Sequence, residues 1–228
     1  VEETVASVHA HPRARIFRYE SAEKISDSLF GRCLEWSAAQ AKQMAFRFAG
    51  NCWLGIHLGM SGKLSFADAD YEAEKWDHLV LRMDSVALVF SDPRQFGALR
   101  MELPEANQAP KWWQDIAPPV LSDAFTPETI HQFLERRSRS PIKAVLLMQE
   151  TFPGIGNWMA DEILWRARIH PKQPAGSLSA AKRKNLFAAV REVAADALRV
   201  IGESWGNPPD DWLFNHRWKD GGTCPVTG

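Results

Sequence analysis

The chain has 228 residues, with 27 Lys and Arg against 28 Asp and Glu for a formal net charge of −1, and 45% of its residues are hydrophobic. That is enough apolar material for two modest domains, each with its own core. No run nears the ~20 apolar residues of a membrane helix and the opening Val1-Glu2-Glu3-Thr4 is acidic where a secretory leader is basic, while three scattered cysteines, Cys33, Cys52 and Cys224, exclude a disulfide framework and suit a reducing cytosol. β-Compatible runs at 6–19, 33–48, 52–58, 78–83 and 86–90 are separated by turn signals at Gly50-Asn51, 59–62 and Asp84-Ser85, so the first hundred residues are predicted to be sheet-rich. After a proline-rich stretch at 104–119 the period changes. Thr126-Pro127-Glu128 reads as a helix start, with Thr126 as N-cap, Pro127 in the first turn, and Ile130, Phe133 and Leu134 following at helical spacing. Further helices are predicted at 140–150, 157–168 and 179–201, the last capped by Ser179. The pattern predicts an α+β protein with a sheet-rich domain over 1–115, a helical domain over 122–205 and a terminal segment over 206–228.

Near-neutrality at first argues against a nucleic-acid partner, but the charges are unevenly placed. Residues 64–135 carry 5 basic and 13 acidic side chains, whereas 136–184 carry 10 basic and 3 acidic. The second block holds Arg136, Arg137, Arg139, Lys143, Arg166, Arg168, Lys172, Lys182, Arg183 and Lys184. A phosphate backbone responds to charge within about a Debye length, roughly 10 Å, so the patch matters more than the total. A solvated helical face would carry the same composition.

Four local features bear on chemistry. In Phe152-Pro153-Gly154-Ile155-Gly156-Asn157, Gly154 and Gly156 permit a tight turn that exposes backbone N–H groups at a positively polarised helix start. Asn157 adds a side-chain donor, and Arg139, Lys143 and Arg166 are cations able to meet the same phosphate. In HLGMSGKL (57–64), alternation from Cys52 puts Leu54, Ile56, Leu58 and Met60 on one face, so Met60 either ends a core strand or protrudes from a glycine-rich turn. DPRQFG (92–97) presents Arg94 and Phe96 two residues apart. A flexible apolar side chain, a guanidinium and an aromatic ring together suit filling the gap left when a base leaves the stack. Lys42 shares strand parity with Met44, Phe46 and Phe48, which places a cation at the start of an apolar face, by snorkelling or for function.

Taken in order, Lys42, HLGMSGKL, Lys75-Trp76-Asp77-His78, DPRQFG, Ile142-Lys143 and PGIGNWMADEILWRARIHP (153–171) resemble the formamidopyrimidine-DNA glycosylase and endonuclease VIII family over nearly the whole chain. The resemblance implies an N-terminal β-sandwich flanked by helices, a helical domain carrying a helix-two-turns-helix motif, and DNA bound in the cleft between them. It also implies base excision from damaged duplex DNA, with abasic-site lyase activity through an imine; a monomer is expected because DNA would be engaged by a cleft, and the cysteine usage fits a cytoplasmic setting, nucleoid-associated in a bacterium. Met60, Arg94 and Phe96 fall at the void-filling positions, and Lys42 at the lysine that contacts phosphate and assists elimination. Asn157 falls at the phosphate-binding asparagine, Arg139 near the basic phosphate contact, and Glu162 at a structural acid.

The chain departs from the family pattern in three places. The Pro-Glu opening that supplies the family's attacking amine and acid is absent, and alignment from Lys42 places Val1 well inside the pattern. Trp76 replaces the first histidine of Lys-His-Asp-His, exchanging a phosphate contact for packing. Cys224-Pro225-Val226-Thr227-Gly228 resembles half of a zinc hairpin with Thr227 at the second ligand position, so no metal site is expected within the chain, and zinc only with a complete hairpin beyond Cys224. A non-catalytic damaged-DNA binder of the same fold, and an all-helical helix-hairpin-helix glycosylase suggested by PGIG (153–156), are the alternatives.

Overall fold

The computed structural model describes residues 2–105, 108–203, 208–216 and 221. Two compact units divide the chain, Val1–Asp115 and Ile116–Gly228. In the first, eight antiparallel strands follow the order β5-β7-β6-β1-β2-β3-β4-β8, namely β1 (Glu3–Ala10), β2 (Cys33–Gln40), β3 (Gln43–Phe48), β4 (Cys52–His57), β5 (Lys63–Asp68), β6 (Asp77–Met83), β7 (Val86–Ser91) and β8 (Ala98–Glu102). β1 belongs to both halves. Glu3 and Thr4 pair with β2, Val5 to Ala10 pair with β6, and the register shifts between Val5 and Ser7. The ladder then folds back on itself, because Phe46, Phe48, Leu54 and Ile56 from one half share a buried cluster with Leu79, Leu81, Leu88 and Phe90 from the other. Helix α1 (Ala22–Leu29) starts at Ser21, whose hydroxyl accepts from Lys24 N, and buries Ala22, Ile25 and Leu29. Helix α2 (Lys111–Gln114) brings Trp112 so near the sheet that a β-carbon on Gly55 would lie 2.6 Å from its ring.

Several predicted strands need correction. The run 6–19 is strand only to Ala10; beyond it Ala14 and Ile16 are buried on an irregular segment that Leu99 N fastens through Ile16 O at 2.9 Å. The run 33–48 is a hairpin. Ala41 and Lys42 form its turn with Ala41 at φ +58°, so Lys42 sits at a hairpin tip and not on the apolar face of a strand. Strands β5 and β8 and helix α1 were not among the predicted elements.

The second unit is helical: α3 (Pro127–Arg136), α4 (Ile142–Leu146), α5 (Asn157–Arg166) and α6 (Ala180–Ala197). Thr126 and Ser179 cap α3 and α6 as predicted, accepting from Thr129 N and Lys182 N. The helix predicted at 140–150 is only one short turn, since Pro141 fixes its start and Leu147 ends it. The helix predicted at 157–168 stops at Arg166. Arg168 adopts φ +56°, and Arg168 N and Ile169 N donate to Trp165 O and Leu164 O, the paired bonds of a Schellman ending. Phe125, Phe133, Phe152, Ile155, Ile163, Leu186 and Val190 lie in one core cluster. Together the units give the α+β architecture expected, and the eight strands exclude the all-helical alternative.

One polar group ties the end of the described chain to α5. Glu162 is fully buried and accepts from Arg166 Nε at 2.9 Å and Leu213 N at 2.8 Å, while Arg166 also meets Glu192 at 2.8 Å and Asp196 at 3.1 Å. Trp212 stacks on Trp158 beneath the Arg166 guanidinium. Burial pushes the Glu162 carboxyl above its ordinary value, against the opposing pull of Arg166 and the Leu213 N–H. Glu162→Ala leaves the Arg166 Nε and the Leu213 N–H without their acceptor in a buried site, and denaturant unfolding should show a loss of about 3 kcal/mol. A loss below about 1 kcal/mol would mean the group behaves as a surface ion pair.

Candidate nucleic-acid interface

In the first unit, strand pairing gathers the distant sequence features at one sheet end. β4 lies between β3 and β8, with His57 opposite Gln43 on one side and Ala98 on the other. The hairpin tip with Lys42, the turn at 58–62 and the turn at 92–97 are therefore neighbours. The two turns meet backbone to backbone. Gly59 has φ +64°, and a β-carbon there would lie 2.5 Å from the Phe96 carbonyl carbon and 2.6 Å from Gly97 N. One on Gly97 would lie 2.7 Å from the Phe90 ring and 2.9 Å from His57 O.

Asp92 is buried beneath this junction. Its carboxylate accepts from Ser61 Oγ at 2.5 Å, Gly97 N at 2.7 Å and Arg94 N at 3.3 Å, and its backbone carbonyl meets His78 Nε2 at 3.0 Å. Burial alone would raise the carboxyl, but these donors outweigh it and hold it below the ordinary value. Above the junction Met60 is 75% exposed and Phe96 44% exposed, and the exposed Arg94 guanidinium lies 4.6 Å over the Phe96 ring. Met60 therefore protrudes and does not end the core.

Other residues of the motifs divide by role. Asp77 is buried and accepts from Tyr71 Oη at 2.7 Å, Glu74 N at 2.9 Å and the Ser91 hydroxyl, so Asp77 and His78 support the turns. Trp76, expected to pack, is exposed, with Lys75 Nζ 4.5 Å over its ring. Lys42 is exposed at its hairpin tip, where partial desolvation by the neighbouring chain lowers its ammonium below the ordinary value.

In the second unit, Gly154 has φ +85° and its N–H donates to Gln149 Oε1 at 3.0 Å, while Gln149 Nε2 reaches Leu147 O and Ile155 O. The Gly154 amide is thus used inside the turn, contrary to its expected exposure. Gly156 is the N-cap of α5 without a side-chain capping bond, which leaves that helix start with Asn157 exposed as its first residue. Lys143 pairs with Asp161 at 2.6 Å. Arg166 is committed to Glu162, Glu192 and Asp196, so it is not available to neutralise phosphate. Arg139 is exposed on a segment fastened by Ile142 N to Gln173 O, Ala175 N to Ser140 O and Gly176 N to Ser138 O, at 2.9 Å each, with no ion pair among the described residues.

Residues 1–99 match the formamidopyrimidine-DNA glycosylase N-terminal domain, and residues 116–207 match the H2TH domain of the same enzymes. A formamidopyrimidine-DNA glycosylase from Roseiflexus sp. (strain RS-1) is 37% identical, over 94% of this chain and 81% of the relative. One from Chloroflexus aurantiacus is 34% identical, over 90% and 76%. The chain belongs to the formamidopyrimidine-DNA glycosylase family. Among solved structures, the Lactococcus lactis formamidopyrimidine-DNA glycosylase bound non-covalently to DNA containing an abasic site superposes with a TM-score of 0.79 at 27% identity, covering 90% of this chain and 77% of that one. The same enzyme with DNA containing a formamidopyrimidine lesion gives 0.80 at 26% identity, covering 94% and 80%.

Within this glycosylase-family fold, Cys33 is half-buried, Cys52 is buried with its Sγ toward Ser28 O, and no metal-ligand cluster occurs among the described residues. Cys224 and most of 206–228 lie outside the described residues, as does Val1. No metal step is assigned.

The residue that sequence reasoning missed is His57. Its position in HLGMSGKL was visible, but its chemistry depends on neighbours brought by β3 and β8. It lines a pocket of about 270 Å³ with Arg18, Gln43, Phe96 and Arg100, and its Nδ1 accepts from Gly59 N at 3.1 Å. Burial first, then Lys42, Arg100 and Arg18, lower its pKa. The unfolded chain takes up a proton as pH falls through 6.5 and the folded chain resists it, so this contribution to stability is complete above 6.5 and declines below it. An NMR titration should place the His57 midpoint below 6.5; a midpoint at or above that value would contradict the site's electrostatics.

Proposed function

We propose that the chain engages damaged duplex DNA as a base-excision glycosylase for oxidised bases, with associated abasic-site lyase activity, acting as a monomer in the cytoplasm or at a bacterial nucleoid. The observation that carries this reading is the exposed trio of Met60, Arg94 and Phe96, held on two turns that share a buried carboxylate. A thioether chain, a cation and an aromatic ring on a fixed base can replace the stacking lost when a nucleotide is everted, and Arg94 and Phe96 would face the unpaired partner base. Asn157 at the start of α5 supplies a phosphate contact at a positively polarised helix end, with Arg139 as a further cation and Lys143 as another once phosphate replaces its partner Asp161. The Gly154 and Gly156 backbone shapes that turn.

The reaction implied is attack of an amine on C1′, departure of the base, and loss of a C2′ proton from the resulting imine as the 3′ phosphate leaves. The attacking amine is not assigned to a described residue. Lys42 fits the proton-handling part of this sequence by its place, at a hairpin tip neighbouring the two turns that carry Met60, Arg94 and Phe96.

Fluorescence anisotropy with a duplex carrying a tetrahydrofuran abasic analogue tests the binding. Affinity should fall with salt by a slope of about 0.9 per phosphate contact, and Asn157→Ala should weaken it about tenfold. Borohydride trapping on oxidised-base duplexes tests the chemistry, since only an imine former is trapped. Lesion binding without trapping by the full-length protein would support a damaged-DNA binder instead, and indifference to lesion, salt and Asn157→Ala would overturn both readings.

A further inference from the structure

The three exposed side chains belong to two separate turns, one after β4 and one before β8, yet one carboxylate fastens a point at or beside each of them. Asp92 accepts from the hydroxyl of Ser61, which follows Met60, from the backbone N of Arg94 itself, and from the N of Gly97, which follows Phe96. Its own backbone is held from behind, with Asp92 N donating to Trp76 O at 3.0 Å and Asp92 O meeting His78 Nε2. The second turn has an additional outer anchor, because Gln95 Oε1 accepts from Arg15 N at 2.7 Å and Gln95 O from Arg18 at 3.1 Å. The first turn closes independently of Asp92 through Gly62 N to Leu58 O at 2.9 Å. Among the described residues, the Ser61 hydroxyl is therefore the one side-chain hydrogen bond that links Met60's turn to the turn carrying Arg94 and Phe96.

We infer that Asp92 and Ser61 are a positioning pair that locks Met60 to Arg94 and Phe96 as one rigid insertion unit, and thereby sets discrimination between lesion-containing and intact DNA. The inference rests on the insertion reading of those three side chains. Neither residue of the pair touches the DNA in this reading. Filling the space of an everted nucleotide requires the apolar chain and the ring to enter together at fixed separation, and a turn free to move on its own would have to be ordered at the cost of part of the stacking gained. An intact duplex offers no such space, so affinity for it does not draw on the coupling. The carboxylate is well suited to this, since it is buried away from water and each bond is charge-assisted.

The test compares the full chain with Ser61→Ala, Ser61→Thr, Met60→Ala, Phe96→Ala and the double variant Ser61→Ala/Phe96→Ala. Binding is measured to intact duplex and to duplex with a tetrahydrofuran abasic analogue, with 2-aminopurine opposite the analogue as the reporter of insertion at saturation. Ser61→Ala should lower the ratio of lesion to intact affinity about tenfold and reduce the 2-aminopurine response, with intact-duplex affinity within about twofold of the parent. Ser61→Thr, which keeps the hydroxyl, should restore both, and the double variant should lose less than the product of the single losses. Loss of selectivity in Met60→Ala but not in Ser61→Ala would overturn the coupling alone, as would equal loss toward both duplexes or strict additivity. Unchanged selectivity in both Met60→Ala and Phe96→Ala would overturn the insertion reading, and the positioning role with it. Because Ser61→Ala removes one hydroxyl from a turn closed by its own backbone bond, an unfolded variant would itself overturn a purely positioning role.

Discussion

The buried carboxylate of Asp92 is the constraint on which the first unit's exposed chemistry depends. Burying a charge is costly unless donors surround it, and here a hydroxyl and backbone N–H groups do so. Their common acceptor forces two turns from different parts of the chain into contact so close that Gly59 and Gly97 cannot carry a β-carbon without displacement. The same arrangement explains why such unlike residues as Met60 and Arg94 stay exposed. The polar and small groups of each turn are consumed underneath, and the large side chains have only the outside left.

The second unit uses the opposite solution for its own buried acid. Glu162 is desolvated to the point that its carboxyl is raised, yet it is paired with Arg166 and capped by Leu213 N–H. A lone buried carboxylate is strongly destabilising, whereas one with a guanidinium and an amide is tolerable and directional. Direction is what matters here, because the pair orients Trp212 onto Trp158, within the helix that begins with Asn157.

Much of this was legible in the sequence where one residue type has one local meaning. Thr126 and Ser179 announce helix starts because their hydroxyls accept from the N–H three residues on, a property that needs no tertiary context. The motifs HLGMSGKL and DPRQFG were legible as glycine-rich turns. Their juxtaposition was not, since it arises from β4 pairing with β8 across 40 residues of chain. Lys42 was misplaced for a related reason: Ala41-Lys42 lacks the Asn-Gly or Gly-rich signature of a two-residue hairpin, and alternation ran through the turn unbroken. Beyond Ala10 the apolar residues continue, but they bury on an irregular path that period-two counting reads as strand. The Arg168 helix ending was hidden because a left-handed position there normally advertises itself with glycine.

Charge shows the same division between composition and geometry. The basic block at 136–184 corrected the first impression left by a net charge of −1, but the structure spends part of that block internally. Arg137 pairs with Glu150, Lys143 with Asp161, Arg183 with Glu135, and Arg166 with three acids. Each pair reduces the far field to that of a dipole, so long-range attraction to a polyanion is weaker than ten cations suggest. Local recognition suffers less. An uncapped helix start beside an exposed Asn157, and Arg139 on a loop pinned by three backbone bonds, would in the proposed reading act at contact distance, where screening is slight. On the proposed DNA-engaging reading, salt governs how often the protein meets DNA, while the fixed donors and the exposed trio on the first unit would govern where along the duplex it stays.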